Sequence, residues 1–482
     1  MRDHPGESGR QWIQGSLGAL TAAALTLACS EYSEDLLLPA PSTGGQGGVT
    51  SGGSGGTDGG TGGVGGAGGT GGAGGSSDLG WPLDDSLPTR CSPNPPDTTG
   101  TAWTGWGNFQ HPQVTETTVG TASEGLFGRT YRQSDTPGAG QAPGWQGELA
   151  FGPYGTLPTG EGRCWDYQTA SFNVDVGNDD EYSSTLTPAA VGLVGLMFRY
   201  RPPGGTWRYG DLDGSDSGIA ADQAALLSAI ESSSGPQPLI VASLNLRCRL
   251  DDWNARLPLV VQALARIKPD VVAFQEDCIE SGGPSQAAEI GAVLSTYTHR
   301  GYEVRRETTH QATSGNDTYD EGVSLLSAHH VLASHSLSLP YTNFPRKALA
   351  VDVVVRGQAL RVYSTHFDYG TGSETERTQS AEAIVADLPG SGATVVAGDF
   401  NADPGEPAIA VLAGALTDLW TAANPSQPGR TFPASSPTER IDYLFGSADL
   451  SSALLGAKLL DEQQGGVLLS DHFGVAMAAS FP

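Results

Sequence analysis

Thr394-Val395-Val396-Ala397-Gly398-Asp399-Phe400-Asn401 reads as a buried strand that delivers polar side chains at its C-terminal edge. A β-branched run that closes on small residues, then an acid and an amide, fits a strand covered on both faces. Alternation puts Asp399 and Asn401 on one face and Phe400 on the other, so a carboxylate and a carboxamide meet at one spot. An acceptor-only group beside a donor-acceptor group can hold a water on a metal and a phosphate oxygen. Taken alone, the tetrapeptide equally suits a strand cap that opens a turn. Further stretches decide between the two.

Upstream, Pro238 to Leu246 is a strand pattern carrying Asn245, and Asp251 or Asp252 can cap the element that follows. There Leu257, Val260, Leu264 and Ile267 repeat at helical spacing until Pro269. Asp270-Val271-Val272-Ala273-Phe274-Gln275-Glu276 is a second strand ending in an acid. Strand, helix and strand over so short a span form a crossover unit, which makes the strands parallel and brings Asn245 and Glu276 to one edge. The pattern recurs in Gly322 to Ser327, introduced by Tyr319-Asp320-Glu321, and in Leu360 to Thr365, ending in His366. It returns after a helix-like stretch from Thr375 to Leu388, in Arg440 to Phe445 with Asp442 inside it, and in Gly466 to Ser470, followed by Asp471-His472. This order predicts two mixed sheets packed face to face with helices outside.

Singly, each of these residues has an ordinary structural reading: strand-end Asp and Asn form turns, and a lone His is usually structural. Together they form an ordered set that resembles the endonuclease/exonuclease/phosphatase superfamily, the deoxyribonuclease-I-like group, over about Gln237 to Pro482. The resemblance implies an α/β (α+β) four-layer sandwich and divalent-metal-dependent hydrolysis of a phosphoester. It implies Glu276 as principal metal ligand, with Asn245 and Asp471 completing or flanking that site. Asp399 and Asn401 would position the water and the phosphate, Asp442 would orient His472, and Glu321 would orient His366. Tyr319 would reach a phosphate oxygen. Carboxylate and amide oxygens are hard ligands, suited to Mg²⁺, with Mn²⁺ or Ca²⁺ as alternatives. No serine or cysteine set of comparable completeness supports covalent catalysis.

The 482-residue chain is long enough for two or three domains, and its 68 glycines and net charge of -28 need placing. The acidity argues against a sequence-independent nucleic-acid binder held by a basic patch, but leaves room for a nuclease that brings its own cations. Residues 1–29 have the form of an export signal: Arg2 and Arg10 precede an apolar stretch from Leu17 to Leu27. Leu25-Thr26-Leu27-Ala28-Cys29 resembles a bacterial lipobox, which implies lipidation at Cys29; the alternative is an ordinary cleaved signal. Residues 30–80, rich in Gly, Ser and Thr, read as a flexible tether reaching on the order of 30 Å. Residues 91–214 carry short alternating runs between turns, which predicts an antiparallel β-sandwich. Trp103-Thr104-Gly105-Trp106-Gly107-Asn108, Asn178-Asp179-Asp180-Glu181-Tyr182 and Trp207 to Gly214 resemble an immunoglobulin-like accessory module of exported bacterial proteins, with no ligand evident. Ser232-Ser233-Ser234-Gly235-Pro236 reads as a joint before a catalytic domain over 236–482.

Four cysteines remain beyond Cys29, and three pairings are open. Cys91–Cys164 and Cys248–Cys278 are favoured because each stays within one expected domain, and because Cys248 and Cys278 follow the ends of neighbouring strands. The expected protein is thus an exported phosphodiesterase, either secreted or an outer-membrane lipoprotein, acting on DNA or RNA. The alternative substrate is a phospholipid head group, as for sphingomyelinases or phosphoinositide phosphatases. A non-enzymatic surface adhesin is a third reading, opposed by the completeness of the residue set.

Overall fold

The computed structural model describes residues 81, 83–91, 99–159, 164–214, 218–231, 238–314 and 317–481. The expected signal, the lipidation site at Cys29, the tether over 30–80 and the joint at Ser232 to Pro236 lie outside them. Among the described residues no helix is long and apolar enough to cross a membrane.

The first half is all β. Its strands are β1 (Trp106–His111), β2 (Val114–Thr118), β3 (Leu126–Tyr131), β4 (Gln146–Pro153), β5 (Asp166–Val176), β6 (Asp179–Ser184), β7 (Gly192–Arg201), β8 (Arg208–Gly210) and β9 (Ala225–Ile230). They form one continuous sheet in the order β1-β3-β6-β5-β4-β7-β9-β2, with β8 beside β7. The long β5 serves both parts, pairing β4 through Asp166 to Ala170 and β6 through Ser171 to Val176. Folding at β5 encloses a core of Phe109, Leu126, Tyr182, Leu149, Phe198 and Leu227. Through β9 the sheet runs to Ile230, beyond the Gly214 limit read from the sequence. The immunoglobulin-like resemblance finds no support beyond this all-β character.

The second half begins with β10 (Pro238–Asn245), α1 (Trp253–Ile267), β11 (Val271–Glu280), α2 (Gln286–Thr298), β12 (Glu303–Ser314) and β13 (Asp317–Ser327). It continues through β14 (Val331–Leu339), β15 (Arg346–Val355), β16 (Gln358–His366), α3 (Glu374–Asp387), β17 (Ala393–Asp399), α4 (Pro407–Ala415) and β18 (Thr417–Asp418). The last elements are α5 (Leu419–Ala423), β19 (Asp442–Gly446), α6 (Ala448–Ser452), β20 (Leu454–Leu460), the ribbon of β21 (Gln463–Gln464) and β22 (Val467–Leu468), and β23 (Gly474–Ser480). Two six-stranded sheets result, β12-β13-β11-β10-β23-β20 and β14-β15-β16-β17-β19-β18. Both mix parallel and antiparallel pairs: β10 runs parallel to β11 and β16 parallel to β17.

Strand alternation builds four layers from this order. Leu239, Val241, Val271, Ala273, Val362 and Val395 pack between the sheets. Their neighbours Ile240, Ala242, Val272 and Phe274 face outward onto α1 and α2. On the other sheet Tyr363, Val396 and Phe445 face α3 and α4. The expected four-layer arrangement with outer helices is therefore the observed one.

Asp270 anchors the end of this core opposite the site. It is buried, accepts from Ile240 N at 2.9 Å, and lies 2.9 Å from His329 Nε2, with Arg300 and Arg356 at 3.8 and 3.9 Å. Burial alone would raise its pKa, but the His329 contact and the charges of Arg300 and Arg356 outweigh it and hold the carboxyl below its ordinary value. A folded pKa below the unfolded one stabilises at neutral pH, and that stabilisation fades as pH falls through the folded value. Asp270→Asn should therefore cost about 2 kcal/mol at pH 7. In urea melts the gap from wild type should close below about pH 4; a pH-independent gap would assign the loss to packing.

Candidate active site

The inward-facing positions that form the inter-sheet core turn polar at the strand ends. On β10 the series Leu239, Val241, Ser243 ends in Asn245, and on β17 Val395 and Ala397 lead to Asp399. Leu360, Val362 and Ser364 lead to His366 on β16, while Asp442 and Leu444 share one face of β19. The transition is hydrogen-bonded throughout: Ser364 Oγ donates to Phe274 O at 2.9 Å, and Gln275 Nε2 donates to Ser364 Oγ at 3.3 Å. Glu276 breaks the alternation. Its φ of +50° sits at a register shift between Phe274 and Asp277, the geometry of a bulge that re-aims a side chain. Gly398 lets β17 approach β16 closely, because a Cβ there would lie 2.1 Å from the Thr365 carbonyl oxygen.

The strand ends converge. Asn245 Nδ2 donates to Glu276 Oε1 and to Asp399 Oδ2, both at 3.0 Å, while its Oδ1 accepts from Arg247 N at 2.8 Å. Asp399 Oδ2 lies 3.5 Å from His366 Nε2 and 3.8 Å from His472 Nε2, and Asn401 N donates to Asp399 Oδ1 at 2.9 Å. His472 Nδ1 meets Asp442 Oδ2 at 2.9 Å, the pairing expected from the sequence. Asn401 itself turns away, donating through Nδ2 to Phe367 O at 3.1 Å.

Two expectations need correction. Glu321 does not orient His366, because Arg346 stands between them. Arg346 Nη1 donates to His366 Nδ1 at 3.0 Å and lies 3.6 Å from Glu321 Oε1. Arginine can only donate, so His366 Nδ1 accepts and its proton sits on Nε2, facing Asp399. Burial, then the Arg346 and His472 charges, hold His366 well below the ordinary imidazole value, and it is neutral. Second, Asp471 is not turned toward Glu276; its Oδ2 pairs with Arg247 Nη1, and Arg247 also pairs with Asp251. Asp471 lines a separate cavity of about 420 Å³ with Arg247, Asp251, Pro433, Ala434 and Leu468. Tyr319 lies buried against the Cys248–Cys278 disulfide.

His472 behaves oppositely to His366. Burial disfavours its charge, but the Asp442 and Asp399 carboxylates override that and raise it to about 10. Burial also raises Asp399 to about 7, with Asp442 adding to the rise and His472 opposing it. Glu321 is likewise raised to about 7 by burial and by Glu276, against Arg346 and Arg306. Burial therefore holds both carboxyls partly protonated near neutral pH, and a positive charge beside them would favour their ionised forms.

Three residues of the site escaped the sequence reading. Arg346 opens β15 as part of the basic pair Arg346-Lys347, a signal visible in the sequence, but its placement depends on strand register. His310, on β12, lies with Nε2 3.7 Å from Glu321 Oε2. Arg256 is buried and donates to the carbonyls of Leu246, Cys248, Leu250 and Leu469, which ties the turn after Asn245 to the segment before Asp471.

A four-layer sandwich with this set of carboxylates, amide and imidazoles at one edge defines a phosphoester hydrolase. The chain belongs to the Endonuclease/Exonuclease/phosphatase family, whose family model matches residues 170–472. Among solved structures it is similar to an endonuclease/exonuclease/phosphatase family protein from Leptotrichia buccalis at 22% identity, covering 50% of this chain and 100% of that one, TM-score 0.45. The catalytic domain of human Nocturnin with bound sulfate is similar at 18% identity, covering 51% of this chain and 95% of that one, TM-score 0.41. D. rerio TDP2 in complex with a single-strand DNA product is similar at 20% identity, covering 50% and 98%, TM-score 0.40. No curated protein matches the chain.

Proposed function

We propose that this enzyme is an exported, divalent-metal-dependent phosphodiesterase that hydrolyses DNA or RNA by in-line attack of water. The observation that carries the reading is the convergence of Asn245, Glu276, Asp399, His366 and His472 on one point, reached from five strand ends or the loops beyond them.

The residues fit a hard cation. Glu276 and Asp399 flank the Asn245 amide, and the Asp442 carboxylate lies close beside Asp399. Asp442 Oδ1 is buried without a hydrogen-bond partner, and a bound cation would offset the burial that disfavours the charged Asp399. Glu276 and Asp399 would hold the ion, and Asn245 would join them by turning its amide oxygen inward. A bound divalent cation supplies neutralisation of phosphoryl charge and acidification of water. The chain's own groups do the rest. His472, charged and fixed by Asp442, donates from Nε2 to a phosphoryl oxygen, and neutral His366 offers a second Nε2 donor beside the same Asp399 oxygen. Arg346 fixes the His366 tautomer and adds positive charge beside it.

The test compares the full chain on plasmid DNA, RNA, sphingomyelin vesicles and a soluble phosphomonoester, with Mg²⁺ or with EDTA. Cleavage of nucleic acid should disappear in EDTA, return with Mg²⁺, and be absent in Glu276→Ala. Activity confined to vesicles or the phosphomonoester, or undiminished in EDTA, would overturn the reading. The two disulfides, Cys91–Cys164 and Cys248–Cys278, support a working place outside the reducing cytoplasm. Mass spectrometry of the mature N-terminus checks this: an unprocessed cytosolic chain would remove the proposal.

A further inference from the structure

Among the described residues the exposed large aromatic side chains are Tyr341, Phe344 and Tyr369, at 50, 41 and 45% exposure. All three sit on two loops beside the active site, one leading into β15 and Arg346, the other leaving β16 just after His366. Phe344 stacks on Tyr369 at 6.1 Å and 20°, and on His310 at 4.6 Å and 14°. From His310 the contacts pass to Glu321, then Arg346, then His366. The rings are therefore continuous with the groups that handle the phosphate.

The platform is rigid. Asp368, fully buried between the loops, accepts through Oδ2 from Thr342 N at 2.7 Å, Asn343 N at 3.1 Å and Ser373 Oγ at 2.9 Å. Asn343 Nδ2 closes the arrangement on Tyr369 O at 2.7 Å. Exposed aromatics would ordinarily be free to turn; here the backbone beneath them is fixed. Three rings are too small an area for a stable protein interface, which needs about 800 Å² per partner. Flat faces next to a phosphate site suit a nucleobase, and a base can stack only when it has left a duplex or never entered one. With a net charge of -28 the protein gains little from phosphate attraction at large, so base stacking is the available source of affinity.

We propose that Phe344 and Tyr369 stack an unpaired base next to the scissile phosphate, making single-stranded nucleic acid the preferred substrate. This rests on the nuclease reading above, and the experiment separates the two. Wild type and the Phe344→Ala, Tyr369→Ala double variant are compared on a single-stranded oligodeoxynucleotide, the same strand in a duplex, and the same strand carrying abasic sites. Both rings are more than two-fifths exposed, so the fold should survive, and thermal melting checks this. Wild type should prefer the intact single strand. The double variant should lose about tenfold in kcat/KM on it, mainly through KM, and change little on the duplex or the abasic strand. A strand with 2-aminopurine at each position in turn, added to the Glu276→Ala enzyme, should be quenched at one position, and the quench should vanish when both rings are removed. A wild type that cleaves DNA while the double variant matches it on all three substrates would overturn the stacking site alone. So would equal losses on all three. A wild type that cleaves no nucleic acid would overturn the nuclease reading and the stacking site together.

Discussion

Replacing His472 with Ala should lower kcat on a phosphodiester by about 10³-fold while changing KM little. The side chain is 5% exposed, is held at Nδ1 by Asp442 at 2.9 Å, and packs against the Phe432 ring at 4.7 Å. It thus pays its ordering cost before substrate arrives, and its Nε2 is fixed 3.8 Å from Asp399. Asp442 acts through His472, holding the ring, so the two should behave as one unit. Asp442→Ala should then cost nearly as much as His472→Ala, and the double variant should be no worse than the worse single. Additive losses would show instead that Asp442 contacts substrate or metal directly through its free Oδ1. Melting temperatures separate this from unfolding, because Asp442→Ala leaves His472 buried without its partner, whereas the double variant removes both buried groups.

The site was legible where chemistry follows from alternation. Asn245, His366 and Asp399 end inward-facing series that begin apolar, and Asp442 opens one that continues to Leu444, so the alternation that built each strand also located its reactive end. Partners across the two sheets were not legible. Glu321 on β13 and His366 on β16 belong to opposite sheets, and nothing in either strand says that Arg346 from β15 will enter between them. The same holds for Arg247 on Asp471, which depends on the run of left-handed residues Arg247, Cys248, Asp251 and Asp252 after β10. The sequence reading ends this strand at Glu276, whereas β11 runs on to Glu280 and Glu276 sits within it at a bulge, a property of strand pairing that no local pattern reports. Among the cysteines, the favoured pairings are both present, yet the reason given for Cys91–Cys164 does not hold. Cys91 is not part of the β-sandwich; Cys91 N donates to Thr296 O on α2, in the catalytic half.

That placement makes the segment before Cys91 a structural strap, and deleting it should have the largest effect on stability. Trp81, Leu83 and Leu87 pack against the core cluster under α1 and α2. Arg90 Nε donates to Thr296 Oγ1 at 3.0 Å and Arg266 Nη1 to Asp85 O at 3.4 Å, so the strap is also hydrogen-bonded along its length. The disulfide then joins its end to Cys164 of the first half, which docks again where Gly301 N and Tyr302 N donate to Leu193 O and Tyr154 O. Three half-buried apolar side chains contribute on the order of 1 kcal/mol each, and a bridge between distant residues about 2–4 kcal/mol. A fragment starting at residue 237 should therefore be less stable than the chain from residue 80 by roughly 5–7 kcal/mol and melt on the order of 10–25 °C lower. It should also aggregate, because the face of α1 and α2 beneath the strap becomes an exposed apolar surface. The chain from residue 80 with Cys91→Ser and Cys164→Ser should fall between the two, since it keeps the strap's contacts and loses only the cross-link. If the fragment melts with the full chain, the strap is a passenger, and the first half can be regarded as independent of the catalytic one.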